Sequence, residues 1–179
     1  EVGINAKLEE FKRFICGKRV AVLGAGISNK PLIKLLISYG ASVTACDKNS
    51  DLKAEFLDQV KMGATLRFGD DYLSDLDFDV IFKSPGIRHD IPELLEAVKN
   101  GVLVTSEMDV FLSLCPCKVI GITGSDGKTT TSTLIANMLK EDGYVCHLGG
   151  NIGKPLLPQI EDIRDTDFAV VELSSFQLQ

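Results

Sequence analysis

An α/β fold built on parallel sheets is predicted by three features of the 179-residue chain. Short β-branched runs alternate with amphipathic stretches, the connections between them are brief, and two strand-to-helix turns are rich in glycine. Parallel strands need crossover connections, which helices supply. With 45% hydrophobic and 25% charged residues, the composition is that of a globular chain with a buried core and not of a disordered one.

The elements follow in order. Arg19 to Gly24 (R-V-A-V-L-G) is a short apolar strand ending at glycine, and Pro31 to Ser38 is an apolar helix closed by Gly40. Ser42 to Asp47 reads as a second strand. A helix is expected near Leu52 to Met62, where Leu52, Phe56, Gln59 and Val60 recur at helical spacing. Strands follow at Thr65 to Phe68 and Asp79 to Lys83. Pro92 opens a helix at its first turn, Gly101 closes it, and Val102 to Val104 is the next strand. Such alternation predicts a Rossmann-like parallel-sheet domain over residues 1–115.

The helical pattern of Met108 to Leu114 stops at Cys115-Pro116-Cys117, and Lys118 to Thr123 starts a new apolar strand, which places a domain boundary there. In the second unit, residues 116–179, a glycine-rich loop precedes a helix from Lys128 to Asp142. A strand near Val145 to Leu148, a helix after Pro155 and a strand from Phe168 to Glu172 follow. Gly149 to Gly153 reads as a loop.

The formal net charge is −6, spread over short segments, so no basic surface recommends a nucleic acid or an anionic membrane as partner. No apolar run approaches the roughly 18–20 residues that cross a bilayer. Glu1 to Lys7 lacks the features of a secretory signal, and the absence of an initiator Met points to a trimmed chain. Five cysteines suit reduced thiols in the cytoplasm better than a disulfide framework, and Cys115 and Cys117 find no second ligand pair for zinc. His89 and His147 have no matching partners and are read as surface or packing residues.

The sharpest motif is Gly124-Ser125-Asp126-Gly127-Lys128-Thr129-Thr130, between an apolar strand and a helix. Glycines let backbone N–H groups turn toward phosphate oxygens, and the helix N-terminus adds partial positive charge. Lys128 reaches the terminal phosphates, and the Thr129 hydroxyl is suited to magnesium. The strict G-x-x-x-x-G-K-[ST] spacing is not met, because Ile122 stands where the first glycine belongs. A structural turn carrying a chance lysine is the alternative.

A second motif, Gly24-Ala25-Gly26-Ile27-Ser28-Asn29, resembles a dinucleotide fingerprint, but Asn29 replaces its third glycine. Asp47 ends the next strand about 20 residues on, where an acidic side chain meets a ribose or a base edge. The pair points to a nucleotide other than NAD, or to a turn needed only for packing. Ser84-Pro85-Gly86-Ile87 lies at the carboxyl end of a strand, the edge where open α/β sheets bind ligands, and is by itself an ordinary turn. Glu172 ends its strand beside the phosphate loop, where a carboxylate can hold magnesium; a surface glutamate is the alternative.

Together G-S-D-G-K-T-T-T (Gly124 to Thr131), G-G-N-I-G (Gly149 to Gly153) and E-L-S-S-F-Q-L (Glu172 to Leu178) resemble the Mur ligase superfamily, in particular its D-glutamate-adding branch. V-L-G-A-G-I-S, Asp47 and S-P-G-I extend the likeness along the chain. The family's shorter G-x-x-G-K-[ST] loop accounts for the missing first glycine, and Asp126 stands where many members have Asn. The resemblance implies an N-terminal domain that binds a uridine nucleotide, followed by the start of a P-loop-type α/β ATPase domain.

It implies an ATP-dependent, amide-forming ligase of the cytoplasm, acting as a monomer in peptidoglycan synthesis, with ATP and magnesium (Mg2+) as cofactors. Its small-molecule substrates would be UDP-N-acetylmuramoyl-L-alanine and D-glutamate, joined through an acyl phosphate. Family likeness sets Ile27, Ser28, Asn29, Asp47, Lys48, Ser84, Pro85, Gly86 and Ile87 around uridine and diphosphate, and Asn151, Ser174 and Gln177 toward the muramoyl end. Gly124 to Thr130 would cradle ATP, Thr129 and Glu172 would ligate magnesium, and Lys128, Glu172 and Asn151 would carry catalysis. The chain would then hold the first domain and part of the second, and be inactive alone. A superfamily member with another amino acid, and a non-catalytic nucleotide-sensing module, are the competing readings.

Overall fold

In a computed structural model, which describes residues 5–150 and 154–173, the chain forms two parallel sheets flanked by helices. The first sheet contains β1 (Arg19–Leu23), β2 (Ser42–Asp47), β3 (Thr65–Phe68), β4 (Val80–Lys83) and β5 (Leu103–Thr105), in the order β3-β2-β1-β4-β5. Every neighbouring pair is parallel, with Val20 opposite both Val43 and Val80. Helices α1 (Ala6–Ile15), α2 (Lys30–Ser38), α3 (Leu57–Lys61), α4 (Pro92–Lys99) and α5 (Glu107–Leu114) connect and cover it.

β1 is buried from Val20 to Leu23 because both faces of the sheet are covered, which is why it reads as a continuous apolar run without alternation. Successive side chains still diverge: Val20 and Val22 face one core with Ile33, Leu36 and Phe111, whereas Ala21 and Leu23 face another with Ile81, Leu94 and Ala97. Removing a side chain such as Phe111 from water contributes about 1.5–3 kcal/mol.

The second sheet has the order β6-β8-β7, from β6 (Lys118–Ile122), β7 (Cys146–Gly150) and β8 (Phe168–Glu172), with α6 (Lys128–Glu141) against it. β8 is central and pairs in parallel with both neighbours. Leu156, Leu157, Ile160 and Ile163 continue the first core toward Ala169 and Val171. Between the units, Lys12 and the Tyr39 hydroxyl meet Glu161 at 2.8 and 3.0 Å.

Four expectations change. α1 is an additional helix, capped by the Asn5 side chain, which accepts from Leu8 N. The stretch expected as one helix over Leu52 to Met62 is a 3-10 turn, Ser50–Phe56, followed by the short α3. The segment after Pro155 forms a 3-10 turn, Leu157–Asp162, that buries Leu157 and Ile160. Finally, Gly149 and Gly150 belong to β7, in register with Val171 and Glu172, and not to a loop.

Candidate functional site: a glycine-rich loop beside a sheet-edge crevice

The loop Gly124 to Gly127 connects β6 to α6. Gly127 is the helix N-cap with φ 75°, in the left-handed region where a β-carbon is strained, so glycine suits the entry. The N-terminal end of α6 then presents unpaired N–H groups toward the loop. Lys128 Nζ turns back and donates to Gly124 O at 2.6 Å and Ser125 O at 3.3 Å. Ser125, Asp126, Thr129 and Thr130 are exposed.

Glu172 closes this site from the end of β8. Its side chain is 3% exposed, although a carboxylate is costly to bury unless it is hydrogen-bonded. Two hydroxyls satisfy it: Ser132 Oγ lies 2.7 Å from Oε1, and Thr129 Oγ1 lies 3.3 Å from Oε2. The expected Thr129–Glu172 juxtaposition is therefore present. Ser132 is a residue that sequence reasoning missed; its signal was the position one helical turn after Thr129, on the face of α6 that meets β8.

Gly150 is held to glycine by a close approach. A β-carbon there would lie 2.5 Å from Glu172 N and closer still to Glu172 O. Gly150 and Glu172 are register partners, so the carboxylate beside the glycine-rich loop and the end of β7 stand on adjacent strands.

Gly150 also lines a crevice of about 290 Å³. Its first wall is the carboxyl edge of β1 and β4, with Gly24, Ser28, Asn29, Ser84 and Pro85. The chain reverses its strand order between these two strands, the switch point where open α/β sheets bind ligands. Ser106 and Glu107 form a second wall, Gly150 and Pro155 a third. Of the residues expected around uridine and diphosphate, Ser28, Asn29, Ser84 and Pro85 line this crevice, whereas Ile27, Asp47, Lys48, Gly86 and Ile87 lie outside its lining.

Asp47 braces the neighbouring turn: one oxygen accepts from Gly26 N and the other from Asn49 N, both at 2.9 Å. Asn29 Nδ2 donates to Gly24 O at 3.2 Å. Ile27 and Lys48 are exposed. Glu107 Oε1 accepts from Leu157 N at 2.6 Å, tying α5 to the 3-10 turn, and burial raises its pKa above the ordinary carboxylate value. Asn151, Ser174 and Gln177 lie outside the described residues.

His147 does have a partner, since its Nε2 is 2.9 Å from Asp167 Oδ2, while His89 is exposed. The Cys115 and Cys117 sulfurs approach to 3.4 Å, yet among the described residues no group of three or more His, Cys, Asp or Glu side chains converges on a metal position. No helix among the described residues is long and apolar enough to cross a membrane.

Comparison with known proteins places this geometry in context. Residues 122–179 match the Mur ligase middle domain. The chain is 55% identical over 178 residues to UDP-N-acetylmuramoylalanine–D-glutamate ligase of Ruminiclostridium cellulolyticum, and 56% identical over 178 residues to the protein of that name from Acetivibrio thermocellus. In both cases the match takes in 98% of this chain and 38% of the relative, so the chain spans less than half the length of these relatives. Among solved structures, UDP-N-acetylmuramate-alanine ligase of Thermotoga maritima shares the fold, with a TM-score of 0.52, 21% identity, and coverage of 88% of this chain and 37% of that one. The chain is thus similar over nearly its whole length to part of these D-glutamate ligases, and its residues 122–179 carry the match to the Mur ligase middle domain.

Proposed function

We propose that the chain is the uridine-nucleotide-binding and phosphate-loop portion of an ATP-dependent ligase that joins D-glutamate to UDP-N-acetylmuramoyl-L-alanine, a step in building peptidoglycan precursors. The substrates come from the names of relatives 55% and 56% identical to it. The observation that carries the ATP half is the buried Glu172 carboxylate, held between the Thr129 and Ser132 hydroxyls beside a glycine-rich loop and a helix N-terminus.

That donor set fits magnesium, because a carboxylate and a hydroxyl are hard oxygen ligands. Thr129 and Glu172 would hold the ion, and when bound it would supply neutralising charge for a phosphoryl group in transfer. Gly124 to Thr130 would bind the ATP phosphates through backbone N–H groups. Lys128, already aimed into the loop, would exchange the Gly124 and Ser125 carbonyls for phosphate oxygens, a stronger charge-assisted contact. The alanyl carboxylate of the nucleotide substrate would attack the γ-phosphate, and the amine of D-glutamate would capture the resulting acyl phosphate.

In this reading Ser28, Asn29, Ser84 and Pro85 contact the uridine nucleotide directly, and Ile27, Asp47, Lys48, Gly86 and Ile87 shape the rim. Asn151, Ser174 and Gln177 act toward the muramoyl end, Asn151 as a catalytic group. The protein works in the cytoplasm as a monomer. Turnover requires the greater part of the relatives' length that this chain does not span.

The test is phosphate release by the protein extended to the length of its relatives. Release should require magnesium, UDP-N-acetylmuramoyl-L-alanine and D-glutamate together. Equal or faster turnover with L-alanine or a diamino acid in place of D-glutamate would reject this assignment.

A further inference from the structure

Lys83 is the single basic side chain among the residues lining the crevice at the β1/β4 switch point. It ends β4, opposite Leu23 at the end of β1, and immediately precedes the Ser84 to Ile87 turn. Its ammonium donates to two backbone carbonyls of that turn, Ile87 O at 2.7 Å and Ser84 O at 3.4 Å. No carboxylate pairs with it among the described residues: the ion pairs there involve other cations, and Asp109 acts on it only at a distance. Partial burial accordingly lowers its pKa below the ordinary lysine value.

A half-buried cation whose only partners are neutral carbonyls gains most from an anion. The one acidic side chain in the lining, Glu107, is turned to the 3-10 turn and occupied by the Leu157 N–H. Among the neutral groups of the lining, Ser28, Asn29 and Ser84 can donate hydrogen bonds to phosphate oxygens.

We infer that Lys83 is an anion-binding residue of this crevice, and that its ammonium pairs with the diphosphate of a nucleoside diphosphate ligand when that ligand occupies the switch point. The inference rests on the proposed uridine-nucleotide reading of the crevice. It adds a residue that none of the sequence motifs contained, although its signal was simple: it is the residue just before S-P-G-I. Lys83 would leave the Ile87 and Ser84 carbonyls for the phosphate oxygens, and the turn is retained by the separate Ile87 N to Ser84 O bond at 3.1 Å.

The experiment compares UDP with uridine by amide NMR titration of the parent chain, Lys83→Gln and Lys83→Arg. Gln keeps a donor for the Ile87 carbonyl and removes the charge; Arg keeps the charge. The parent should bind UDP more tightly than uridine. Lys83→Gln should lose about tenfold or more in UDP affinity while its uridine affinity stays within about twofold, and Lys83→Arg should recover most of the loss. The parent's UDP affinity should also fall more steeply with added salt than that of Lys83→Gln.

Equal losses for UDP and uridine would mean that Lys83 only braces the turn, and would overturn the inference while leaving the uridine reading intact. Unchanged UDP affinity in Lys83→Gln would overturn it in the same way. A parent that binds neither ligand would overturn the uridine reading and the inference with it.

Discussion

Gly150→Ala is the substitution whose cost the structure specifies most closely. Gly150 has φ 121°, outside the regions open to residues with a β-carbon. Holding a non-glycine residue in such a conformation costs about 1–3 kcal/mol. The added methyl would also meet the Glu172 backbone, with Glu172 N at 2.5 Å, and backbone paired on both sides in a sheet cannot move aside as a flexible side chain does. Forcing a methyl into such a space costs roughly another 1–3 kcal/mol. The total is about 2–6 kcal/mol, which for a chain of this size lowers Tm by about 5–20 °C.

Gly121→Ala is the matched control, on β6 of the same sheet. There the new β-carbon would meet only the end of the Leu173 side chain, at 3.2 Å, so its cost should stay below about 1 kcal/mol. Thermal melts followed by circular dichroism compare the two variants. If Gly150→Ala melts within about 2 °C of Gly121→Ala, the claim that the Glu172 backbone excludes a side chain at Gly150 is wrong.

Two further outcomes are expected. Gln59 is fully buried and among the described residues neither its Oε1 nor its Nε2 finds a hydrogen-bond partner, so Gln59→Met, of similar shape, should stabilise the chain by about 1–3 kcal/mol in urea unfolding; a loss would mean that water satisfies the amide. The Lys12 ammonium, and then the Tyr39 hydroxyl, hold the Glu161 carboxyl below its ordinary pKa, so its contribution is present above the unfolded value and is lost as pH falls through the folded one. Glu161→Gln should therefore lose less Tm than the parent between about pH 6 and about pH 3, and an equal loss would assign the acid sensitivity to other carboxylates.

Much of the fold was legible because its signals are local. β1, β2, β4 and β8 are short apolar runs bounded by glycine or acidic residues, Pro92 marks the first turn of α4, and the glycine-rich turns sit between strand and helix, as the structure has them. The misjudged stretches are those where local pattern was outweighed. The apolar spacing of Leu52 to Met62 suited a long helix, yet the chain forms a 3-10 turn that buries Phe56 and then only a short α3. Gly149 and Gly150 read as a loop because glycine disfavours strands by itself, but β8 supplies a ladder in which only a residue without a side chain fits at Gly150.

What the sequence determined by itself was the chemistry available: a lysine and threonine after a glycine turn, a glutamate at a strand end, and a glycine-rich turn after the first strand. These are contiguous motifs, and backbone geometry within a few residues is enough to aim them. Tertiary structure alone decided which of them meet. The pairing of Glu172 with Thr129 and Ser132 spans 43 and 40 residues and depends on α6 lying against β8. The place of Lys83 and Glu107 in one crevice depends on strand order in the first sheet and on the packing of Leu156, Leu157 and Ile160 against it, which no stretch of sequence encodes locally.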